Sequence, residues 1–359
     1  MNKKQFLNLR LSSQLLVRRD FDDPAAVVSH FGAMQAQDYQ MTKWAVGSRM
    51  KKATDEQIES AIDEGKVIRT HILRPTWHLV AAKDIRWMLM ISAPSVMRQM
   101  TAMNGRLELD QKTFDKSNAI IQRLLSGNNH LTRAEIMAAL SGNGINTHGH
   151  RSAHLMFHAE LSGLVCNGAR KGRQSTYALL DERVPEKNDL QKEEALAELA
   201  KRYFTSHGPA TVKDFIWWSG LPVADVRTAV ALNPQLGQMK FEGEEYFFAE
   251  GDNVKPTPQF LLLPAFDEYL IAYKERSAMI DLQHSPHAFT KNGIFRPLIV
   301  VDGKVEGIWQ RTHQKDLNVE LKFFDDVAIS DVKFANEIKR LERFFGTGII
   351  LKSTTCPGY

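Results

Sequence analysis

Three times within the first 250 residues, helix-forming stretches run into two short strands joined by a tight turn. This recurrence restricts the fold more than any other feature of the chain. The first ribbon is Val67–Leu73 and Thr76–Ala81, joined across Arg74–Pro75. The second is Gly163–Asn167 and Ser175–Leu179, around the basic turn Gly168–Gln174. The third is Gln238–Phe241 and Glu245–Phe248, around Glu242–Gly243. Helices followed by a two-stranded ribbon are the pattern of a winged helix. The copies share the order of their hydrophobic periods rather than their residues.

The helices are read from their ends. Asp23 is a side-chain N-cap with Pro24 at the first helical position, and Thr54 caps Asp55–Glu64. Thr132 with Glu135 has capping-box spacing at the head of Leu131–Leu140, and Thr211 caps Val212–Gly220. Asn8–Val17, Asp38–Met50, Arg151–Leu161, Ala195–His207 and Val223–Leu232 complete the predicted helices. After Pro256 the period changes to that of strands, in FLLLPAF, GIFRPLIVVDGKVEGIWQR and VELKFF, with Asp302–Gly303 as a hairpin turn. Asp331–Phe345 is a last amphipathic helix with Phe334, Ile338, Leu341 and Phe344 on one face. The expected fold is α+β: three tandem winged-helix domains at 1–105, 106–190 and 191–255, then a small β-barrel-like domain with a final helix at 256–359.

A chain of 359 residues is long enough for several cores. No stretch approaches the roughly 18 consecutive apolar residues of a membrane span, and the N-terminus lacks the apolar run of a signal peptide. Two cysteines, Cys166 and Cys356, without CxxC spacing, argue against a disulfide framework or a cysteine zinc site and fit a reducing cytoplasm. The net charge is +4, and its distribution is uneven. Residues 1–150 hold 20 Lys/Arg against 14 Asp/Glu, while the remainder holds 26 against 28. The basic excess therefore lies in the N-terminal part, as suits a protein that meets a polyanion with one end.

Phe31–Tyr39, FGAMQAQDY, sets Gln35 and Gln37 two residues apart. Amides are poor general acids and bases, so a catalytic role for them is positional and electrostatic. That limits the chemistry to leaving groups already activated. On extended backbone the two side chains share a face; in a regular helix they stand about 200° apart. Arg69, Arg74 and His78 flank the first ribbon, and Arg170, Lys171 and Arg173 lie in the second ribbon turn. All six are candidates for DNA phosphate contact. Trp77 is expected in the core. His148, His150, His154 and His158 cluster, the last three on one helix face, but Glu160 does not share that face, so no metal site is expected. Asp267 and Glu268, read as neighbours on a strand, point to opposite faces and are assigned a structural role at the sheet end. No P-loop, GxGxxG or Ser-His-Asp pattern occurs.

Several segments together resemble one family. FGAMQAQD, RPTWHLV, HAELSGLVCNG, TYALLDERVP, GPATVKDFIWWSGL, LLPAFDEYLIAYKER and VVDGKVEGIWQR are similar to the winged-helix DNA glycosylases that include the azinomycin-resistance glycosylase. The matches run in order from about Leu9 to about Phe345. The resemblance implies three winged helices and a C-terminal β-barrel curved around duplex DNA. It also implies a catalytic Gln-hydrophobic-Gln motif, here Gln35-Ala36-Gln37. A related branch carries Asp at the second position; this chain has Gln37, with Asp38 following. The implied activity is monofunctional excision of N-alkylated purines from duplex DNA by a monomer, without metal or other cofactor. A non-catalytic winged-helix regulator is the alternative, and a metal enzyme built on the histidine cluster is a third reading.

Overall fold

In the computed structural model, which describes residues 1–249, 259–313 and 317–355, the helix caps form where the sequence places them. Asp23 accepts the N–H groups of Ala25 and Ala26 at the head of Pro24–Phe31. Thr54 caps Asp55–Asp63. Capping boxes close on Arg133–Gly142, through Thr132 and Glu135, and on Val212–Ser219, through Thr211 and Asp214. Each satisfies N–H groups that the first turn leaves without an intrahelical partner, which contributes about 1 kcal/mol per cap. The first helix is Lys3–Ser13 and starts earlier than expected, because Asn2 and Gln5 form a capping box of their own. Two long helices, Ile85–Arg106 and Gln111–Leu125, lie outside the repeating pattern.

A three-residue strand, β1 (Ala33–Gln35), joins the first ribbon, β2 (Val67–His71) and β3 (Trp77–Ala81), in the order β1-β3-β2. It pairs antiparallel with β3 and sets Gln35 opposite His78. The second ribbon likewise has three strands, β4 (Leu131–Thr132), β5 (Val165–Lys171) and β6 (Gln174–Leu179), in the order β4-β6-β5. The third is the simple pair β7 (Gly237–Phe241) and β8 (Glu244–Phe248).

The C-terminal strands are β9 (Phe260–Leu263), β10 (Leu298–Val301), β11 (Lys304–His313), β12 (Leu317–Phe323) and β13 (Ile349–Thr355). They form one sheet in the order β13-β12-β11-β10-β9, with β9 and β13 as its edges. Asp302 and Gly303 both take positive φ, 50° and 89°, the backbone that a two-residue hairpin between β10 and β11 requires. β12 and β13 pair in parallel, so a crossover must join them, and the helix Asp331–Phe345 supplies it. Strands do not fill the segment from Phe260 to Phe324. Pro264 follows β9 directly, Asp267 caps the short helix Glu268–Ile271, and Ser285–Ala288 is helical as well.

Packing joins distant segments. The second helix–ribbon unit keeps a core of its own, with Phe114, Ile121, Ile136, Leu140 and Leu155. The first unit shares its core with the C-terminal sheet. Trp44 packs on Phe344 with ring centroids 4.9 Å apart, and its Nε1–H donates to the Leu262 carbonyl at 2.6 Å. Arg49 and Asp267, both fully buried, form a two-pronged ion pair with both N···O distances 2.8 Å. Tyr203, Phe215 and Trp218 pack into a cluster that also holds Phe6 and Tyr269. β1 therefore sits where three parts of the chain meet. No helix among the described residues is long and apolar enough to cross a membrane.

Candidate functional site

The backbone of Gln35-Ala36-Gln37 is extended and then irregular, ending at the helix Tyr39–Gly47. Asp38 turns back on that helix and caps it, its Oδ1 accepting the Met41 N–H at 3.0 Å. It is thereby taken out of the motif. The two glutamines face one feature, the turn between β2 and β3. Gln35 Oε1 accepts from Arg74 Nη2 and from Thr76 Oγ1, each at 3.4 Å. Gln37 Oε1 accepts the Trp77 N–H at 3.4 Å. These contacts are long enough to orient the amides while leaving acceptor capacity for water or substrate. Gln35 is 4% exposed and Gln37 lies at the surface.

The turn that orients them is tight. Arg74 N–H donates to the Ile72 carbonyl and Thr76 N–H to the Arg74 carbonyl, both at 2.7 Å and both spanning two residues. Leu73 takes a φ of 61°, a left-handed conformation that costs a leucine about 1–3 kcal/mol. Gly220 closes on the turn from the helix Val212–Ser219. A Cβ there would stand 2.8 Å from the Leu73 carbonyl oxygen and 3.1 Å from Arg74 Cγ.

Behind Gln35 lies Glu268, 1% exposed. Its Oε1 accepts the Gln35 backbone N–H at 2.6 Å. Its Oε2 takes His207 Nε2 at 3.2 Å and Trp218 Nε1–H at 3.1 Å. Burial opposes ionisation, but the bonds from His207 and the Gln35 N–H outweigh it and hold this carboxyl below the usual range. The assignment of Asp267 and Glu268 to opposite faces of a strand fails here. They open a helix, and both point inward, Asp267 to Arg49 and Glu268 to the motif.

The six basic candidates divide. Arg69 donates through Nε and Nη2 to the Ala36 carbonyl at 3.0 and 2.9 Å and lies 4.2 Å over the Trp77 ring. It clamps the motif from beneath. His78 is 0% exposed, with Nδ1 2.9 Å from the Thr76 carbonyl. Burial and the nearby Arg74 cation push its pKa down to about 3, so it is neutral packing under the turn with no exposed atom to offer a phosphate. Arg170 pairs with Glu59 at 2.8 Å, and Lys171 with Glu135 at 3.1 Å. The Lys171 pair is half exposed and of a kind worth about 0–1 kcal/mol, so a phosphate can compete for the lysine. Arg173 is exposed, and Arg74 forms no ion pair among the described residues.

Trp77 is half-buried between Arg69 and His71, and His71 Nδ1 meets Glu160 at 2.5 Å. His154 bonds Asn104 at 2.6 Å and His158 stacks on Phe114 with centroids 4.0 Å apart. Among the described residues no three His, Cys, Asp or Glu groups converge to hold a metal. Cys166 is a buried free thiol whose pKa burial raises to about 12, and Cys356 lies outside the described residues.

A sequence profile of the family described as DNA glycosylase AlkZ-like matches residues 28–344. Over 334 residues the chain is 21% identical to the interstrand DNA cross-link repair glycosylase of Streptomyces sahachiroi, an alignment covering 87% of this chain and 88% of that one. The solved structure of Streptomyces sahachiroi DNA glycosylase AlkZ has the same fold, with a TM-score of 0.84 at 20% identity over 99% of this chain and 100% of the other. The profile spans most of the chain, both glutamines included, and on that ground the chain belongs to the AlkZ-like DNA glycosylase family.

Proposed function

We propose that this protein hydrolyses the N-glycosidic bond of N-alkylated purines in duplex DNA, N7-alkylguanine and interstrand crosslinks among them, with Gln35 and Gln37 as the catalytic pair. The observation that carries the reading is the shared orientation of the two amides. Both oxygens face the β2–β3 connection, Gln35 toward Arg74 and Thr76 and Gln37 toward the Trp77 N–H at the start of β3.

Alkylation at N7 makes guanine cationic, so the base leaves without a strong acid. The C1′–N9 bond breaks with its electron pair going to the base, which leaves neutral; the sugar gains oxocarbenium character, and water attacks C1′ and gives its proton to solvent. Two fixed amide oxygens stabilise that positive charge and align the water, at no reorganisation cost during the reaction. Glu268 is enclosed and serves the Gln35 backbone rather than the substrate. An undamaged, neutral purine is a poor leaving group for such a site. The name of the Streptomyces relative, a cross-link repair glycosylase, supports the substrate class. The chemistry calls for no metal or organic cofactor.

The three helix–ribbon units are read as tandem winged helices presenting their basic N-terminal part to the duplex, with the chain acting as a monomer. Arg74, Lys171 and Arg173 are the proposed phosphate contacts.

The test is incubation with duplex DNA carrying N7-methylguanine and detection of the released base. Gln35→Ala and Gln37→Ala should each slow release by roughly 10–1000-fold, with duplex affinity retained. Wild-type rates in both variants would remove these residues from the site. Absence of release by the wild-type protein from every alkylated duplex tried would favour a non-catalytic DNA-binding role.

A further inference from the structure

Adjacent positions on a helix point about 100° apart. In the helix Val212–Ser219 the consecutive Trp217 and Trp218 consequently part ways. Trp218 is 0% exposed and donates to Glu268, the carboxylate behind Gln35. Trp217 remains 41% exposed, yet it is fixed, its Nε1–H donating to the Ile271 carbonyl at 3.0 Å. Two guanidinium groups flank its ring, Arg74 at 6.0 Å and Arg276 at 5.5 Å from the centroid. Arg276 is held from behind by Phe289 and Phe295, at 5.1 and 5.4 Å, and by the Leu270 carbonyl at 2.8 Å. Among the described residues neither arginine forms an ion pair, although Glu268 lies near enough to act on Arg74 and Asp214 and Glu275 on Arg276, and Arg74 Nε and Arg276 Nη2 are buried without a hydrogen bond. Arg74 also reaches Gln35.

A lone exposed tryptophan calls for no explanation. A tryptophan locked in place between two guanidinium groups that form no direct ion pair among the described residues, one of them touching the proposed catalytic amide, does. Unpaired guanidinium groups so placed suit phosphate oxygens on either side of a nucleotide. An indole face suits the base between them, since every base presents a π-face.

We propose that Trp217 is a stacking platform for a base that has left the duplex stack beside Gln35, with Arg74 and Arg276 holding the flanking phosphates. The occupant is an unstacked base because a paired base in a duplex has both faces covered by its neighbours. The inference rests on the glycosylase reading only for placing DNA at Gln35.

The experiment compares two probes, a fully paired duplex and the same duplex with one bulged, unpaired base. They are bound by wild type, Trp217→Ala, Trp217→Phe and Arg276→Gln, and all four proteins are also assayed for N7-methylguanine release. Trp217→Ala should weaken binding of the bulged duplex by roughly 5- to 150-fold while changing the paired duplex by under about 2-fold. Trp217→Phe, which keeps an aromatic face, should restore most of the loss, while unchanged binding of the paired duplex by Trp217→Ala shows that the fold is intact. Arg276→Gln should lower the slope of log affinity against log salt by about one on the bulged probe. If Trp217→Ala binds both probes and releases base as wild type does, the platform is refuted and the glycosylase reading stands. If wild type releases no base but the bulge preference still depends on Trp217, the glycosylase reading fails and the platform stands.

Discussion

Replacing Glu268 with glutamine keeps the size of the side chain and removes its charge and one acceptor oxygen. The carboxylate now accepts three N–H groups: Gln35 N at 2.6 Å, His207 Nε2 at 3.2 Å and Trp218 Nε1 at 3.1 Å. A glutamine has one acceptor, so its NH2 must face either the Gln35 N–H or the His207–Trp218 pair. One charge-assisted bond is lost if the NH2 faces Gln35 N–H and two if it faces the His207–Trp218 pair, so the first orientation is favoured; each costs about 1.5–3 kcal/mol, partly offset because a charge no longer has to be buried. The expected net destabilisation is about 1–3 kcal/mol. With the NH2 against Gln35 N–H, two donors oppose each other and β1 must shift. Misplacement of a reacting group by about 1 Å costs on the order of 100-fold in rate. Urea unfolding gives the first quantity, and single-turnover release of N7-methylguanine gives the second. Release should fall roughly 10- to 100-fold with duplex affinity unchanged. A variant that loses stability but excises at the wild-type rate would show that Glu268 holds the fold and does not position Gln35. A variant unchanged in both would refute the hydrogen-bond accounting itself.

Asp267→Ala leaves the Arg49 guanidinium buried and unpaired, and chemical denaturation should show a loss of about 3–5 kcal/mol. His78 titrates at about 3 in the fold against 6.5 when unfolded, so the unfolded chain binds the extra proton between those values. Stability should therefore fall as pH drops from about 6.5 toward 3, by about 1.4 kcal/mol per pH unit from this group, and His78→Gln should flatten that limb of a urea-midpoint profile. Duplex affinity should drop steeply between low and moderate salt, and a flat titration would argue against phosphate contacts. Base release should be insensitive to EDTA; inhibition that zinc or magnesium reverses would reopen the metal reading.

The parts of the fold that were legible are those set by local rules. Capping residues at Asp23, Thr54, Thr132 and Thr211 announce helices because the orphan N–H groups they satisfy lie within three residues. β1 was not legible: Ala33, Met34 and Gln35 are all buried, so the strand shows no alternation and is too short for a period. The glutamine pair could be singled out, but not what holds it. Arg69, His78 and Arg170 drew attention by charge, and charge does not reveal that their partners are the Ala36 and Thr76 carbonyls and Glu59. Glu268 was misplaced because the apolar run before it reads as a strand, although an Asp at position 267 ahead of a helix-forming stretch is also a cap signal. The Trp217-Trp218 pair did not announce which ring is exposed, since adjacent positions of this helix such as Asp214 and Phe215 are both buried.

The hydrogen bond between Glu268 and the Gln35 N–H joins residues 233 positions apart, and the ribosome delivers the chain in order. At about 5–20 residues per second, the glutamines emerge on the order of 10–50 seconds before the carboxylate that seats them. For that interval the nascent chain already carries its basic N-terminal part and both amides, without the group that fixes their backbone. A product cut short before residue 268 would carry the basic residues and both glutamines but lack the carboxylate that holds the Gln35 backbone. If Gln35 and Gln37 carry the proposed chemistry, base release waits on synthesis of the segment that carries Glu268, and shorter products would leave no abasic sites.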